Sequence, residues 1–370
     1  SQGERLRIGL VLGGGGARGP AHIGVLRVLD ELRVPIDYVG GTSMGAIIAA
    51  LFSLGMTPDQ IEEQLHQIDW DDLFSDNPDR RRRTYRRKED DNAFFLPVEF
   101  GFSNGRVVTN RGIIAGQKLG FAFPNPQIYS AGHKGFDHLA YPLRTVATDL
   151  RTGEMVVIDR GNLVQAVRAS MSIPGLFPPV HWEGRELIDG GVVRNLPVDV
   201  VRKMGADIII AVDVGTRPED TTDEDLGSFA GILAQTLTIQ GRVNVVSQIP
   251  DADIFIQVDL EGISFRDFKR VGESIPLGEA AARAQLDTLA RLSIPAKEYR
   301  AHLAAHRLPS RQHPVIDRIV SENATLVHDR AIRRRIHQQE GQALDLDLLK
   351  DDLADIYDLQ VAELVDFAVT

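Results

Sequence analysis

The pentapeptide Gly41-Thr42-Ser43-Met44-Gly45 lies between an apolar, strand-like run, Ile36 to Val39, and a helix-like run, Ala46 to Leu54. In that setting a G-x-S-x-G pattern fits a nucleophile elbow, a strained strand-to-helix turn that holds a serine hydroxyl out at the C-terminal edge of a sheet. Gly41 and Gly45 let neighbouring backbone pass close to the turn. The helix beyond Ser43 aims N–H groups and its positive dipole end at any developing oxyanion. The plain alternative is a glycine-bounded turn with a capping serine.

Upstream, Leu6 to Leu12 reads as a buried strand running into Gly13-Gly14-Gly15-Gly16-Ala17-Arg18-Gly19, followed by a helical pattern with Ile23, Leu26, Leu29 and Leu32 on one face. Gly14, Gly16 and Gly19 match the dinucleotide fingerprint, and Asp37 falls near the place of a ribose-binding acid. A nucleotide site has no need of a serine elbow on its second strand. An acyl-transfer enzyme does need backbone donors from a neighbouring loop, and this run is one crossover from Ser43. An oxyanion loop is the better reading, with phosphate binding as its alternative. A P-loop is excluded, because Pro20 stands where the phosphate-binding lysine belongs.

A hydrolase of Ser-Asp/Glu-His order needs a histidine after its acid. None occurs between Asp189 and Ala296, and His302, His306, His313, His328 and His337 fall in what reads as a linker and a separate module. His22, His133 and His181 precede Asp189 and read as surface or core residues, a triad of noncanonical order being the alternative. The chain does offer Leu187-Ile188-Asp189-Gly190-Gly191-Val192, an acid ending a short apolar run with two permissive glycines behind it. A Ser/Asp dyad is the chemistry this suggests.

The order Gly-Gly-Gly-x-Arg-Gly, Gly-Thr-Ser-Met-Gly, Asp-Gly-Gly resembles the patatin-like phospholipase family, whose serine/aspartate dyad cleaves lipid acyl esters. The resemblance implies Ser43 as nucleophile, Asp189 as general base, and Gly14, Gly15, Gly16 and Arg18 as the oxyanion-hole segment, with Gly19, Gly41, Gly45, Gly190 and Gly191 completing the motifs. It implies a phospholipase A type of lipid acyl hydrolase working through an acyl-serine intermediate, with no cofactor or metal. Ala147-Thr148-Asp149-Leu150 and the run Ala169 to Pro179 also resemble bacterial members, and the latter is expected to shape the substrate-side wall. The alternative is a nucleotide- or lipid-binding module that keeps the fold without hydrolysis.

One carboxylate must here accept the serine proton and return it to the leaving alcohol, which favours a pKa raised by partial burial. An alcohol leaving group demands less proton donation than an amine, so esters suit the arrangement better than peptides. The 370 residues, 43% of them hydrophobic, suffice for a real core. Strand-like runs at Leu143 to Leu150, Met155 to Ile158, Ala206 to Val214 and Asp253 to Leu260 alternate with helical ones such as Leu163 to Ser172. The expected fold class is α/β, a mostly parallel sheet flanked by helices. Thr57-Pro58-Asp59-Gln60 reads as a capping box opening a further helix.

No run is long enough to span a bilayer as a helix, and Gly45 to Met56 reads as a buried helix. No secretory signal is visible, although a chain opening on Ser1 is compatible with a processed product. Zero cysteines exclude disulfides, thiolate metal sites and cysteine nucleophiles. The net charge is −11, yet Arg80, Arg81, Arg82, Arg83, Arg86, Arg87 and Lys88 form a basic stretch ahead of Phe94, Phe95, Leu96 and Pro97. Such a stretch suits docking on an anionic, phospholipid-bearing membrane surface, or it is simply a solvated charged loop. Nucleic-acid binding is disfavoured by the acidic whole.

Three parts are expected: a catalytic domain over 1–307, a linker over 308–314, and a small C-terminal α+β segment over 315–370. The last shows a strand-like Val315 to Val320, helix-like Asp329 to Gln338 and Leu346 to Leu359, and a strand-like Val361 to Val369. This order resembles the start of a POTRA module, which precedes outer-membrane barrels. The resemblance implies the secreted passenger of a patatin/POTRA/barrel (type Vd) autotransporter, at the cell surface or released through the outer membrane, with a cytoplasmic enzyme as the alternative. Ending on an unpaired strand, the segment is expected to be the least stable part of the chain. Leu277 to Leu292 reads as a helix able to pair with a second copy in a homodimer.

Overall fold

The structure is a computed structural model that describes residues 5–68, 70, 100–103, 106–109, 135–174, 177–221, 226–227, 229–306, 315–323, 327–357 and 359. The basic stretch Arg80 to Lys88, Phe94 to Pro97, His133, the linker and the strand-like Val361 to Val369 lie outside the described residues.

The central sheet is built around β1 (Ile8–Leu12), whose five residues are all buried. It pairs in parallel with β2 (Ile36–Thr42) on one side and β9 (Ile208–Asp213) on the other, and β10 (Ile254–Gln257) extends the sheet beyond β9. Strands covered on both faces favour apolar residues throughout, and β1 and β9 read as near-continuous hydrophobic runs. β5 (Leu143–Asp149) joins β2 in parallel. From there the direction reverses: β6 (Met155–Ile158) and β8 (Arg185–Asp189) both run antiparallel to β5, and β7 (Val180–Trp182) runs antiparallel to β8. The strand order is β10-β9-β1-β2-β5-β8-β7 with β6 also on β5. The sheet is therefore mostly parallel, from β10 through β5, with an antiparallel edge made by β6, β8 and β7, as the expected α/β class requires. A separate hairpin joins β3 (Phe100–Ser103) to β4 (Arg106–Thr109).

Helices flank the sheet: α1 (Ala21–Glu31), α2 (Met44–Ser53), α3 (Pro58–His66), α4 (Leu163–Ser170), α5 (Gly191–Arg194), α6 (Val198–Lys203) and α7 (Phe229–Gln248). The apolar face of α1 and almost all of α2 enter the main core with Ile8, Leu10 and Leu12. At the head of α3 the Thr57 hydroxyl accepts from the Gln60 N–H at 3.3 Å, and the Gln60 side chain accepts from the Thr57 N–H at 2.9 Å. That capping box satisfies two donors a helix start would otherwise leave unpaired.

Several segments differ from the sequence reading. The helix from Leu163 stops at Ser170, because Ser172 turns back to pair its backbone with Asp189. Leu277 to Leu292 is two helices, α8 (Ile275–Arg283) and α9 (Leu286–Ala290), broken at Gln285, whose side-chain amide donates to the Phe255 carbonyl at 2.6 Å. Ile275, Ala282 and Leu289 enter the main core while Leu277 and Leu286 stay exposed. After α10 (Ala296–Ala305), Val315 to Val320 forms no strand beyond a single bridge, Val315 with Ala343. The Ile319 N–H bonds the Glu340 side chain instead of a strand partner. The helix foreseen over Asp329 to Gln338 is confined to α11 (Asp329–Arg333), since the Gln338 side chain caps the turn at Asp345 and the Asp352 carboxylate accepts from the His337 N–H. α12 (Leu346–Tyr357) follows.

Candidate active site

Ser43 sits between β2 and α2 at φ 55° and ψ −125°, a backbone conformation that a side-chain-bearing residue adopts only under constraint. Its side chain makes no capping bond to the helix, which removes the capping-serine alternative. Two contacts hold it. The Ser43 N–H donates to the Ser170 hydroxyl at 3.0 Å, and that hydroxyl donates in turn to the Val146 carbonyl at 2.6 Å. The Ser43 hydroxyl donates to Asp189 Oδ2 at 2.8 Å.

Asp189 reaches Ser43 because β8 lies antiparallel on β5, with Ala147 opposite Asp189. Its N–H donates to the Ser172 carbonyl, its carbonyl accepts from the Thr148 hydroxyl, and its Oδ1 accepts from the Gly191 N–H at 2.6 Å. Ser43 is 8% exposed and Asp189 7%. Burial pushes the Asp189 carboxyl up to about 6, against the opposing pull of the Gly191 N–H and the Ser43 hydroxyl.

The glycine run forms the neighbouring wall. Gly13 donates to the Val212 carbonyl, Gly14 to the Asn195 carbonyl, and Ala17 to the Phe265 carbonyl, so β9 and two distant loops pin the run at both ends. Gly15 and Gly16 line the cleft, and their N–H groups have no partner among the described residues. Gly16 takes φ 55°, which glycine adopts without strain. The Arg18 side chain is 3% exposed and lies outside the cleft lining, and its charge acts on Asp213. Gly19 packs against Met44, Gly41 against Gly45, and Gly190 against the Val146 carbonyl, so these glycines bring the turns together rather than face substrate.

Among the described residues no histidine lines the cleft. His22 is fully buried, its Nε2 bonds the Gly13 carbonyl at 2.8 Å, and desolvation lowers its pKa to about 4. His181 is exposed beside Glu186. The ribose-acid reading of Asp37 fails on direction. Asp37 opens β2, whereas the glycine run follows the end of the parallel β1, so the two lie at opposite edges of the sheet.

Sequence reasoning missed Asn195, Asn244, Asp213 and Arg242. The Asn195 side chain donates to the Gly14 carbonyl at 3.2 Å, while Asn244 accepts from the Asn195 N–H and donates to the Gly191 carbonyl. These two amides tie the glycine run, the acid turn and α7 into one piece. The buried Asp213 accepts from Arg242 at 2.9 Å and from the Gly215 N–H. Asn195 stands only four residues past the Asp-Gly-Gly turn, which is the one local signal for it.

Ser43, Asp189, Gly15 and Gly16 face one cleft of about 150 Å³, open to solvent, with Ile173, Pro174, Val192, Leu237, Val245 and Phe265 supplying an apolar wall and Arg242 with Asp213 a polar corner. Among the described residues no helix is long and apolar enough to cross a membrane.

A strained serine between strand and helix, bonded to a buried aspartate beside glycine N–H groups that line the cleft, defines a nucleophile-elbow protein of the α/β class. A family model described as patatin-like phospholipase matches residues 10–202, and the chain belongs to that family. It is 31% identical over 388 aligned positions to a patatin-like phospholipase domain-containing protein of Caenorhabditis elegans, covering 94% of this chain and 26% of that protein. It is 31% identical to an uncharacterized NTE family protein of Mycobacterium tuberculosis (75% of this chain, 46% of the relative). It is 38% identical to patatin-like phospholipase domain-containing protein 7 of Rattus norvegicus (61% and 15%). The chain thus spans less than half the length of these relatives. Among solved structures, VipD from Legionella pneumophila aligns with a TM-score of 0.40 at 15% identity, covering 77% of this chain and 67% of that one. Human GIVD cytosolic phospholipase A2, in complex with methyl gamma-linolenyl fluorophosphonate, aligns with a TM-score of 0.38 at 13% identity, covering 81% and 60%.

Proposed function

We propose that the protein is a lipid acyl hydrolase of phospholipase A type, working through Ser43 and Asp189. The observation that carries this reading is the 2.8 Å bond between the Ser43 hydroxyl and the buried Asp189 carboxylate, made from a strained elbow next to two glycine N–H groups that line the cleft.

In this reading Ser43 Oγ attacks the ester carbonyl while Asp189 Oδ2 takes its proton. The oxyanion that forms meets the Gly15 and Gly16 N–H groups, aided by the positive end of α2. Collapse of the tetrahedral species expels the alcohol, to which Asp189 returns the proton. Asp189 then activates a water that hydrolyses the acyl-Ser43 ester. The apolar wall from Ile173 to Phe265 suits an acyl chain, and the ionic Arg242 corner suits the polar part of a lipid.

Labelling with a fluorophosphonate probe tests the proposal. Stoichiometric attachment at Ser43, absent in Ser43→Ala, is expected. A chain that resists labelling at pH 8 while fully folded is a binding module that keeps the fold.

The raised Asp189 pKa sets two pH dependences of opposite benefit. The base must be ionised, so hydrolysis of a soluble short-chain ester should rise through pH about 6 to a plateau. Stability runs the other way. The folded carboxyl binds its proton more tightly than the unfolded one, so between its ordinary 3.8 and about 6 the native state loses, with rising pH, on the order of 3 kcal/mol from this group. Asp189→Asn should therefore flatten that part of the stability curve and melt later than the parent at pH 7.5. An unchanged curve would show that the carboxyl titrates normally.

A further inference from the structure

At the edge of the sheet opposite the cleft, three side chains converge that the hydrolytic reading leaves unused. Asp37, His302 and His306 each offer one ligand atom, and these atoms all lie within 4.8 Å of one another. We propose that they bind a late first-row divalent cation, zinc first among them.

The hydrogen bonds of the two rings carry the argument. His302 Nε2 lies 2.9 Å from the Ile36 carbonyl, and His306 Nδ1 lies 2.8 Å from the His302 carbonyl. A carbonyl only accepts, so those nitrogens carry the hydrogens, and His302 Nδ1 and His306 Nε2 keep their lone pairs. Metal-binding imidazoles characteristically donate their second nitrogen in this way, which fixes tautomer and ring orientation. The rings are also packed in place. Tyr141 stacks on His306 at 4.7 Å, Phe52 stacks on Tyr141 at 4.4 Å, and Tyr299 lies parallel to His302 at 6.3 Å.

The spacing and donor set fit as well. Residues four apart on a helix share a face, and His302 and His306 stand at the end of α10. Asp37 contributes from the start of β2, its carboxylate oriented by Arg5 through both oxygens and by the Ile8 N–H at 2.7 Å. Arg5 opposes a cation while it aims the carboxylate. Two imidazoles and one carboxylate leave a fourth position for water, a set suited to zinc and its neighbours. Zinc bonds of about 2.0–2.1 Å bring tetrahedral ligand atoms to about 3.4 Å from one another, so the trio closes by roughly an ångström on binding. Both histidines are only half-buried, which leaves an ion a way in. The seven residues of β2 place this site about 20 Å from Ser43, so the ion would clasp α10 to the sheet and take no part in hydrolysis.

The test uses the full chain without a polyhistidine tag, stripped with chelator and titrated with zinc by calorimetry and with cobalt by absorption. One zinc per chain, a tetrahedral cobalt spectrum and a zinc-dependent rise in melting temperature are expected. His302→Ala and His306→Ala should each weaken zinc by 100-fold or more, and Asp37→Asn by 10-fold or more. His66→Ala, on α3, where His66 pairs with Glu62 of the same helix, should change nothing. Unaltered fluorophosphonate labelling of Ser43 in each variant certifies the fold. No binding by the folded parent, binding that survives the double histidine variant, or binding indifferent to Asp37→Asn would each overturn the three-ligand site.

Discussion

Ser43→Ala and Asp189→Asn should each lower ester hydrolysis on the order of 10⁴-fold or more, and the double variant should be no slower than the worse single one. In the proposed mechanism the two groups act as one device: the hydroxyl is a nucleophile only while the carboxylate takes its proton, and the carboxylate has no other use once the hydroxyl is gone. Both variants should stay folded. Among the described residues the Ser43 hydroxyl bonds Asp189 alone, and the Ser43 N–H is held by the Ser170 hydroxyl, which the substitution leaves in place. An asparagine at 189 still accepts from the Gly191 N–H and can donate to the serine oxygen, so both hydrogen bonds survive while basicity is lost. Steady-state turnover of a soluble ester, with circular dichroism as the control for folding, is the measurement. A double variant much slower than either single one would show that the residues act independently.

The second large effect is structural. Gly45→Ala should cost on the order of 4 kcal/mol and leave little folded protein at 37 °C. A Cβ at this position meets the Leu12 carbonyl at less than contact distance and the Gly13 carbonyl at 2.6 Å, and both belong to backbone. Nothing flexible can give way. Either α2 lifts off β1 or the end of β1 and the glycine run shift, and the second outcome moves the Gly15 and Gly16 N–H groups. Chemical denaturation of Gly45→Ala beside Gly153→Ala, where an added Cβ has nothing within 4 Å, separates steric conflict from the general effect of replacing a glycine. Because Gly153 has φ 72°, that control carries its own strain penalty, and the Gly45 variant should exceed it clearly.

Much of this arrangement was legible in the chain because it is local. The strand entering Gly13 to Gly19, the turn at Ser43 and the Asp-Gly-Gly turn each write their backbone requirements into adjacent residues. The apolar runs of β1 and β9 announced burial on both faces. What stayed hidden depends on partners far away in sequence. Asn195 bonds Gly14 across 181 residues, Asn244 bonds Asn195 across 49, and Ser170 supports Ser43 across 127. A polar side chain braced against distant backbone looks, in sequence, like any surface residue. The antiparallel edge of the sheet was hidden for the same reason, since strand direction is a property of pairing, and β6 and β8 have no periodicity that distinguishes one direction from the other. Asp37 misled because a fingerprint counts residues without knowing which end of a strand they occupy. The break at Gln285 and the lost strand after Val315 show local pattern yielding to side-chain bonds made elsewhere.

The cleft draws its parts from nearly the whole described fold. Gly13 hangs from Val212 on β9, Ala17 from Phe265, and the acid turn from Asn244 on α7, while Ser43 itself waits for Asp189 on β8. During synthesis, a ribosome that has released the elbow and its strand has produced nothing able to attack an ester. The base, the brace for the glycine run and the far wall all arrive more than 140 residues later. On the proposed reading, such an order of assembly makes catalytic competence coincide with completion of the sheet.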